Sequence, residues 1–489
     1  MAINQSDLPI SWVMASLGDV ASKPQYGWTT KAAADGENLK LLRTSDISSG
    51  RVNWDTVPTC LDEPPIPAKY FLDPGDIVVA RAGSVGKSFL IRERVTDAVF
   101  ASYLVRFRPQ IRPEYIDLFM QSRLYWEQIE DKSSGIAIPN VNASKLAAVT
   151  LPVAPRSEQD RIVEKIETLF AELDKGEEAL REVQKLLASY RQSVLKAAVT
   201  GTLTADWRAA NGPPQESGAD LLARILKTRR ESWQGRGEYK EPVEPNTDGL
   251  PELPSGWVWV SIHQILRSDL ANGKSVPDAE DGFPVLRLTA LKDGGIDLQE
   301  RKVGAWDAKA AENFLVNQHD VLVSRGNGSK RLVGLGGIVS VDPDGVAYPD
   351  TMIRISPQLG FVLADWFIQT WNGPFLRSQI EASAKTTAGI YKINQGDIRS
   401  FAMPLPPMAE QEAMATLVEE NLAQARVAEG WCETELNRSA ALRQSILKDA
   451  FSGKLVPQDP SDEPADKLLE RIRAAREEKP RAKRKKANA

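Results

Sequence analysis

Two pairs of loops place arginine, lysine, hydroxyl and amide side chains around glycine, a combination suited to holding phosphates or the polar edges of bases. Guanidinium groups bind guanine edges and phosphates, amides bind adenine edges, and hydroxyl groups mostly hold phosphates. Glycine lets the backbone approach such a ligand closely. The alternative for any single residue is an ordinary β-turn with solvated charges. The candidate contact residues are Arg43, Thr44, Ser45, Arg81, Ser84, Lys87, Arg287, Thr289, Arg325, Asn327, Ser329 and Lys330.

Three other polar segments leave two interpretations open. Residues 133–142 and 386–394 contain serine, threonine, asparagine and glycine, and they suit either a phosphate contact or a turn that caps the next element. The lysines and arginines of residues 479–486 form a basic tail. Such a tail is either a solvated end or a source of nonspecific attraction to phosphates.

Composition excludes several classes of chemistry. The only histidines are His263 and His319, and the only cysteines are Cys60 and Cys432, so a zinc site or a disulfide framework is not expected. Neither a membrane span nor a signal peptide is visible, which predicts a cytoplasmic protein. The formal net charge of −5 argues mildly against nucleic acid, but a binding face is local and net charge is a sum over the chain.

Motifs for catalysis are missing as well. An adenine methyltransferase needs an Asp/Asn-Pro-Pro-Tyr/Phe sequence, and neither residues 211–214 nor residues 372–375 fit it. No phosphate-binding loop of the Gly-x4-Gly-Lys-Ser/Thr type occurs, and the glycines at 326 and 328 lack the third one of a dinucleotide turn. The Pro-Asp pairs at 343–344 and 349–350 are not followed by a convincing nuclease motif. We therefore expect no catalytic activity in this chain alone.

The candidate loops occur twice because much of the chain is repeated. Residues 76–81 read Asp-Ile-Val-Val-Ala-Arg and residues 320–325 read Asp-Val-Leu-Val-Ser-Arg. In the same order, residues 151–159 resemble 403–411, and residues 191–196 resemble 443–448. This spacing is far longer than that of solenoid repeats and indicates a domain plus a connector, present in two diverged copies.

Each copy begins with a mixed α/β pattern and ends in a long helix. Residues 76–80 and 103–107 predict strands, and residues 113–129 predict one helix. Pro155 and Ser157 suit the start of the first long helix. Its apolar positions predict a coiled-coil seam along about 40 residues, a rod roughly 60 Å long. The seam consists of Ile162, Ile166, Leu169, Leu173, Leu180, Val183, Leu187, Tyr190, Val194 and Ala197.

The second long helix is less regular. Val418, Leu422, Ala425, Cys432 and Leu436 lie near one stripe, and the stripe is then predicted to continue at Leu442 and Ile446. The simplest partner for the first helix is the second, and the rival is a helix of another chain.

Taken together, these motifs resemble the specificity subunit of type I restriction–modification systems along essentially the whole chain. The residues that carry the resemblance are the openings at 8–12 and 253–257, the Leu-Arg pairs at 42–43 and 286–287, the repeated strands, and the repeated starts and ends of the long helices. No single motif is specific, but six of them occur in the same order twice.

The resemblance implies an α+β protein with two tandem target-recognition domains, each followed by a long helix, the two helices pairing as an antiparallel coiled coil. It implies double-stranded DNA as ligand, two methylation subunits and two restriction subunits as partners, and S-adenosylmethionine, ATP and Mg on those partners rather than on this chain. The predicted segments are 1–153 and 251–406 (target recognition), 154–203 and 407–455 (long helices), 204–250 (short helix and linker) and 456–489 (short helix and basic tail).

Two other functions compete with DNA reading by a noncatalytic subunit. A stand-alone methyltransferase is disfavoured by the missing adenine-pocket motif. A coiled-coil scaffold with two protein-binding modules is favoured only by the net charge of −5, and it would not need the basic glycine loops twice. Since the two sets of loops differ in sequence, we expect two unlike half-sites and an asymmetric target.

Overall fold

The computed structural model describes residues 5–33, 38–95, 97–133, 140–234, 237–292, 294–387 and 389–487, with side chains in the last helix described through residue 477. These residues form two compact units, one of Met1–Arg181 with Glu433–Ala489 and one of Glu182–Cys432. Each unit contains one mixed module, which confirms the predicted α+β class with two modules. No helix in the described part of the chain is long and apolar enough to cross a membrane.

The first module is built from short strands followed by helices. Its strands are β1 (Val13–Ser16), β2 (Gln25–Tyr26), β3 (Ala32–Ala33), β4 (Lys40–Leu42), β5 (Thr59–Cys60), β6 (Ile77–Ala80), β7 (Ser88–Leu90), β8 (Ala98–Phe100), β9 (Leu104–Phe107) and β10 (Thr150–Val153). Its helices are α1 (Leu17–Val20), α2 (Pro113–Gln121), α3 (Arg123–Ser133) and α4 (Ala143–Ala147), with 3-10 turns at Gln5–Asp7, Trp54–Thr56 and Pro67–Lys69.

Three helices follow the first module and lead into the second. They are α5 (Arg156–Val199), α6 (Ala205–Asn211) and α7 (Gly218–Glu231). The strands of the second module are β11 (Val258–Ser261), β12 (Ala271–Asn272), β13 (Asp278–Leu286), β14 (Leu291–Lys292), β15 (Gly295–Ile296), β16 (Arg301–Gly304), β17 (Val321–Ser324), β18 (Gly326–Asn327), β19 (Gly336–Ile338), β20 (Met352–Ile355), β21 (Lys385–Thr387), β22 (Ile390–Lys392) and β23 (Ala402–Leu405).

The helices of the second module are short and are followed by two longer ones. They are α8 (Ala308–Ala311), α9 (Ala364–Asn372), α10 (Pro374–Ser383) and α11 (Gln395–Ser400), followed by α12 (Met408–Phe451) and α13 (Ala465–Ala487). Further 3-10 turns lie at Ile262–Ile265, Leu288–Ala290 and Glu312–Phe314.

A four-strand antiparallel arrangement is common to both modules. In the first module the strand order is β2-β9-β6-β7, and in the second β12-β20-β17-β19 forms part of a larger sheet. The first strand of each module pairs antiparallel with its last strand, Val13 opposite Val153 and Val258 opposite Leu405. That pairing brings the start of a module next to the start of the long helix that follows it.

The short β6 and β17 strands are buried on both faces because helices or loops cover each side. All four residues of both strands are buried. In front of each strand a buried aspartate closes a turn: the Asp76 carboxylate accepts the N–H of Asp73 at 3.1 Å, and the Asp320 carboxylate accepts the N–H of Asn317 at 2.9 Å. The aspartate of the repeated strand motif therefore has a structural role.

Both long helices contribute to both cores. Ile162 and Ile166 from the beginning of α5 and Phe451 from the end of α12 lie in the core of the first unit. Val194 from the end of α5 and Val418 from the beginning of α12 lie in the core of the second unit. The apolar seam of α5 is therefore buried chiefly at its two ends, where it packs on a module.

The repeated openings and the repeated helix ends meet each other. Gly201, after α5, has a φ of +69°, and a Cβ there would lie 2.5 Å from Pro254. Gly453, after α12, has a φ of +72°, and a Cβ there would lie 2.3 Å from Pro9. Glycine is required at both positions because the backbone is left-handed and the proline ring occupies the space of a side chain.

Four predicted details were wrong. The single helix predicted over residues 113–129 is divided at Ser122, whose backbone is extended. Ser157 lies inside the first turn of α5 and donates to Asp462 instead of capping the helix. Val183 and Tyr190 of the predicted seam are exposed, and so is Leu442 of the second stripe. These three positions lie outside both module cores, whereas Ala425 and Cys432 of the second stripe are buried.

Candidate nucleic-acid interface

In the first module the structure brings the two predicted contact loops together. One loop follows β4 and contains Arg43, Thr44 and Ser45, and the other follows β6 and runs from Arg81 to Lys87. The Lys87 ammonium donates to the carbonyl of Ser48 over 3.1 Å. The Thr44 hydroxyl lies 3.7 Å from the position that a Cβ of Gly83 would occupy. The candidates of this module therefore share one surface.

Arg43 is the most strongly compensated charge on that surface. Its guanidinium donates to both oxygens of Asp46, over 3.0 and 2.8 Å, and this pairing raises the pKa of Arg43 above its usual value. The Ser45 hydroxyl donates to the same carboxylate over 3.3 Å. Arg43 and Ser45 therefore shape the loop, and a nucleic acid would have to compete with Asp46 for them.

The backbone of Arg81 is held by hydrogen bonds, whereas its guanidinium has no carboxylate partner among the described residues. Its N–H donates to the carbonyl of Tyr103 and its carbonyl accepts the N–H of Val141, both over 2.9 Å. The guanidinium carbon lies 5.1 Å from the centre of the Tyr26 ring. Its Nε is shielded from solvent without a hydrogen-bond partner, and within the described residues no carboxylate pairs with Arg81. Its charge is thus available to a ligand.

The remaining residues of this loop form its turn. The Ser84 carbonyl accepts the N–H of Lys87 over 3.1 Å, and the Gly86 N–H donates to the carbonyl of Ala80. Ser84 is partly buried, whereas the Lys87 side chain is exposed. Lys87 therefore has the better geometry for a phosphate, and Ser84 contributes mainly through its position in the turn.

The second module repeats this backbone frame around Arg325. The Arg325 N–H donates to the carbonyl of Thr351 over 2.8 Å, and its carbonyl accepts the N–H of Ile393 over 3.1 Å. The Asn327 side chain accepts the N–H of Ser329 over 3.0 Å, which stiffens the loop. Arg325 and Lys330 are exposed, and no ion pair to either occurs in the part of the chain that is described.

Arg287 and Thr289 stand in an acidic environment. The Arg287 N–H donates to the carbonyl of Glu300 over 2.8 Å, and its guanidinium lies 3.7 Å from the Asp278 carboxylate. The Thr289 hydroxyl donates to the Glu300 carboxylate over 3.0 Å. In contrast to the first module, no hydrogen bond or ion pair among the described residues joins this segment to the loop of Arg325.

Charge compensation thus divides the candidates into two groups. Arg43 and Arg287 have carboxylate partners. Within the described residues Arg81 and Arg325, with the lysines that follow them, have none. Phosphate binding is strongest where a cation does not have to give up an existing partner. The loops at 81–87 and 325–331, called the Arg–Gly loops below, are therefore the stronger candidates.

The third pair of polar segments includes two helix caps. The Asn142 side chain accepts the N–H of Lys145 over 2.8 Å and caps α4, and the Asn394 side chain accepts the N–H of Asp397 over 3.0 Å and caps α11. The structure thus supports the capping interpretation for these two asparagines. Residues 134–139 and 388 of the same segments, and the side chains of the basic tail at 479–486, lie outside the described residues.

Sequence reasoning missed two residues at this surface. Tyr26 lies under the Arg81 guanidinium although the two are far apart in the chain. Lys385 lies on β21 opposite Lys392 of β22, and Lys392 is in turn opposite Gly326 of the Arg–Gly loop. The lysine in a short polar strand was a usable signal for Lys385. Nothing in the local sequence could have indicated Tyr26, because the contact depends on strand pairing.

The chain is similar to known proteins along most of its length. The family model of the type I restriction modification DNA specificity domain matches residues 9–182. The EcoKI specificity subunit of Escherichia coli (strain K12) is 28% identical over 495 residues, with 96% of each chain covered. The StySPI specificity subunit of Salmonella potsdam is 28% identical over 501 residues, with 97% of each chain covered. Residues 9–182 thus match the DNA specificity domain, and nearly the whole chain is similar to specificity subunits of type I restriction–modification systems.

The fold of this chain also resembles a solved one. A chain from a solved type I restriction–modification system matches with a TM-score of 0.58 at 17% identity, covering 92% of this chain and 99% of that one. The matched DNA specificity domain at 9–182 contains every candidate contact residue of the first module. The second module has its Arg–Gly loop in the same backbone frame.

Proposed function

We propose that this chain is the DNA sequence-recognition subunit of a type I restriction–modification complex and that its two modules read the two halves of an asymmetric site. One observation carries the proposal: Arg81 and Arg325 occupy the same backbone frame in loops of different sequence, and no carboxylate of the described residues pairs with either of them. Arginine on a rigid backbone suits guanine edges, and the neighbouring lysines suit phosphates. One frame with two different loops favours two different half-sites.

We propose further that α5 and α12 pair as an antiparallel coiled coil that sets the gap between the half-sites. Each helix has 44 residues, equivalent to about 66 Å. In the first unit Arg443 of α12 contacts Asp174 of α5 over 2.6 Å, and in the second unit Arg191 of α5 contacts Glu429 of α12 over 3.0 Å. Within each unit the helices are thus close enough for side-chain pairing, which supports the proposal.

Docking of two methylation and two restriction subunits is also proposed. Support comes from apolar side chains that both helices expose in the second unit, Leu186 and Tyr190 on α5 and Val427 and Trp431 on α12. Exposed aromatic and aliphatic residues of this kind are typical of protein interfaces. In this proposal the chain is noncatalytic, works in the cytoplasm, and leaves S-adenosylmethionine, ATP and Mg to its partners. The six segment boundaries likewise stay predictions.

A paired substitution tests the proposal. The first variant replaces Arg81 and Lys87 with alanine, the second replaces Arg325 and Lys330, and methylated adenines are mapped in cells that carry each variant. We expect the first variant to relax or weaken recognition of one half-site and the second variant to affect the other. Each bidentate arginine contact contributes about 1–3 kcal/mol of discrimination. Unchanged selectivity in both variants would contradict the assignment of the Arg–Gly loops.

A further inference from the structure

Arg81 and Tyr26 form a cation–aromatic pair at the end of the central sheet of the first module. The guanidinium carbon lies 5.1 Å from the ring centre, and Tyr26 is 41% exposed. The Nε of Arg81 is shielded from solvent and makes no hydrogen bond to any of the described residues. The aromatic face is therefore the contact that orients the guanidinium plane, since no carboxylate among the described residues does so.

Strand pairing, a hydrogen bond and the close packing of the next residue fix the position of Tyr26. On β2 it is the register partner of Val105, and its hydroxyl accepts the N–H of Ala143, the first residue of α4, over 3.0 Å. The next residue, Gly27, lies so close to the sheet that a Cβ would collide with the carbonyls of Phe100 and Ala101. The ring therefore provides a fixed surface for Arg81 to rest on.

The second module has the same frame with a different residue at this point. Asn272 pairs with Ile353 as Tyr26 pairs with Val105, and a Cβ on the next residue, Gly273, would collide with the carbonyls of Tyr348 and Pro349. Asn272 offers no ring, and Arg325 is exposed. The aromatic support is thus a property of the first module and not of the fold.

We propose that Tyr26 is a positioning residue that fixes Arg81 for reading one base of the half-site recognised by the first module. Since Nε is shielded, the two terminal nitrogens of Arg81 are left to face the DNA. Arginine reads a guanine edge through two parallel hydrogen bonds, so the orientation of its plane decides its selectivity. This inference rests on the proposed function, because it assumes that the first module reads DNA.

The test uses the complete chain in its own cells, with methylation mapped at cognate sites and at sites that carry one changed base. The variants are Tyr26→Ala, Tyr26→Phe, Arg81→Ala and the double variant Tyr26→Ala with Arg81→Ala. We expect Tyr26→Ala to reduce discrimination at one base of the first half-site by about 5- to 30-fold. Tyr26→Phe keeps the ring and should keep discrimination, and the double variant should match Arg81→Ala alone.

Two internal controls separate positioning from misfolding. Recognition of the second half-site should be unchanged in every variant, which reports on folding and assembly in the same molecule. Tyr103→Ala removes another tyrosine near the loop, 60% exposed, whose backbone carbonyl but not whose ring contacts Arg81, and it should leave discrimination intact.

The outcomes separate this inference from the proposed function. Normal discrimination in Tyr26→Ala, together with impaired discrimination in Arg81→Ala, would overturn the positioning role and leave the proposed function standing. The positioning role would also be overturned if Tyr26→Ala reduced discrimination equally in the parent protein and in the Arg81→Ala variant. Tyr26 would then act independently of Arg81. If Arg81→Ala itself changes neither half-site, the Arg–Gly loop assignment fails and the inference fails with it.

Discussion

Trp257 donates its indole N–H to the buried carboxylate of Glu410 over 2.7 Å, and Trp12 makes the same bond to Glu158 over 2.9 Å. In each case the tryptophan belongs to the opening of a module and the glutamate to the first turn of the following long helix. Burial raises the pKa of Glu158, so a donor is needed to keep the charge there. The pair explains why the Trp-containing openings and the Glu-Gln helix starts recur together.

Replacing Trp12 with phenylalanine is expected to lower the free energy of unfolding by about 1–3 kcal/mol, because Glu158 loses a donor in a buried site. Gln458 would remain as a donor to the other carboxylate oxygen. Chemical denaturation of the purified chain measures the change. Trp28→Phe is the matched control, since its indole donates to the carbonyl of Asp62 at an exposed position. If both variants lost the same free energy of unfolding, the buried Trp12–Glu158 hydrogen bond would have no special role.

Asp117 is expected to make the stability of the first module depend on pH. Burial raises the pKa of this carboxyl from its usual 3.8 to about 6, and Arg92, 3.9 Å away, offsets this only in part. Between these values the folded state binds more protons than the unfolded state, so stability falls as the pH rises from about 4 to 6.

The variant Asp117→Asn should remove this dependence and raise stability at pH 7 by on the order of 1–3 kcal/mol. Denaturation midpoints measured at several pH values test it. Asp62→Asn, at an exposed position, serves as control, and its stability should depend on pH as that of the parent protein does. If the stability of Asp117→Asn still fell between about pH 4 and 6, another group would be responsible for the pH dependence.

In the proposed coiled coil, removing one heptad from the middle of α5, together with seven residues from the part of α12 that would pair with it, is expected to shorten the proposed gap between the half-sites. Seven helical residues span about 10.5 Å, which corresponds to about three base pairs. Mapping methylated adenines in cells carrying this variant reports the gap directly. A seven-residue deletion from the linker at 241–250 should leave the gap unchanged. Methylation at the original gap would rule out a helical ruler.

Trp431→Ala is expected to weaken binding of the methylation subunits without lowering the stability of the chain. The side chain is 59% exposed, and truncating an aromatic anchor at an interface commonly costs about 2 kcal/mol or more. Co-purification and a binding titration with the methylation subunit measure the loss. The comparably exposed Leu61→Ala, on the first module, is the control. Normal binding by Trp431→Ala would remove this stripe from the proposed docking surface.

Some features of the fold followed directly from local sequence. The buried β6 and β17 strands and the two long helices lie close to their predicted positions because hydrophobic runs and helical periodicity are local signals. The break at Ser122 was missed because an extended residue between two amphipathic helices leaves their periodicity almost unchanged. The exposed positions Val183 and Tyr190 were missed because periodicity indicates an apolar face but not the surface that covers it.

Only part of the candidate site could be predicted from local sequence. The Arg–Gly loops were found from arginine, lysine and glycine in neighbouring positions. The sequence did not show that Arg43 and Arg287 are paired with carboxylates while the arginines of the Arg–Gly loops are not. Asp46 and Asp278 become partners only in the folded chain. Tyr26 shows the same limit, since it reaches Arg81 across the sheet.

By itself the amino-acid sequence determined that the chain has two diverged copies of one module, that each copy ends in a long helix, and that basic glycine loops recur in both. Repetition and periodicity are properties of residue order, so they can be read without coordinates. Only the tertiary structure decided which charges are compensated, that Trp12 and Trp257 secure buried glutamates, and that Arg81 rests on an aromatic ring while Arg325 does not. These are contacts between residues distant in the chain, and strand pairing and packing fix them.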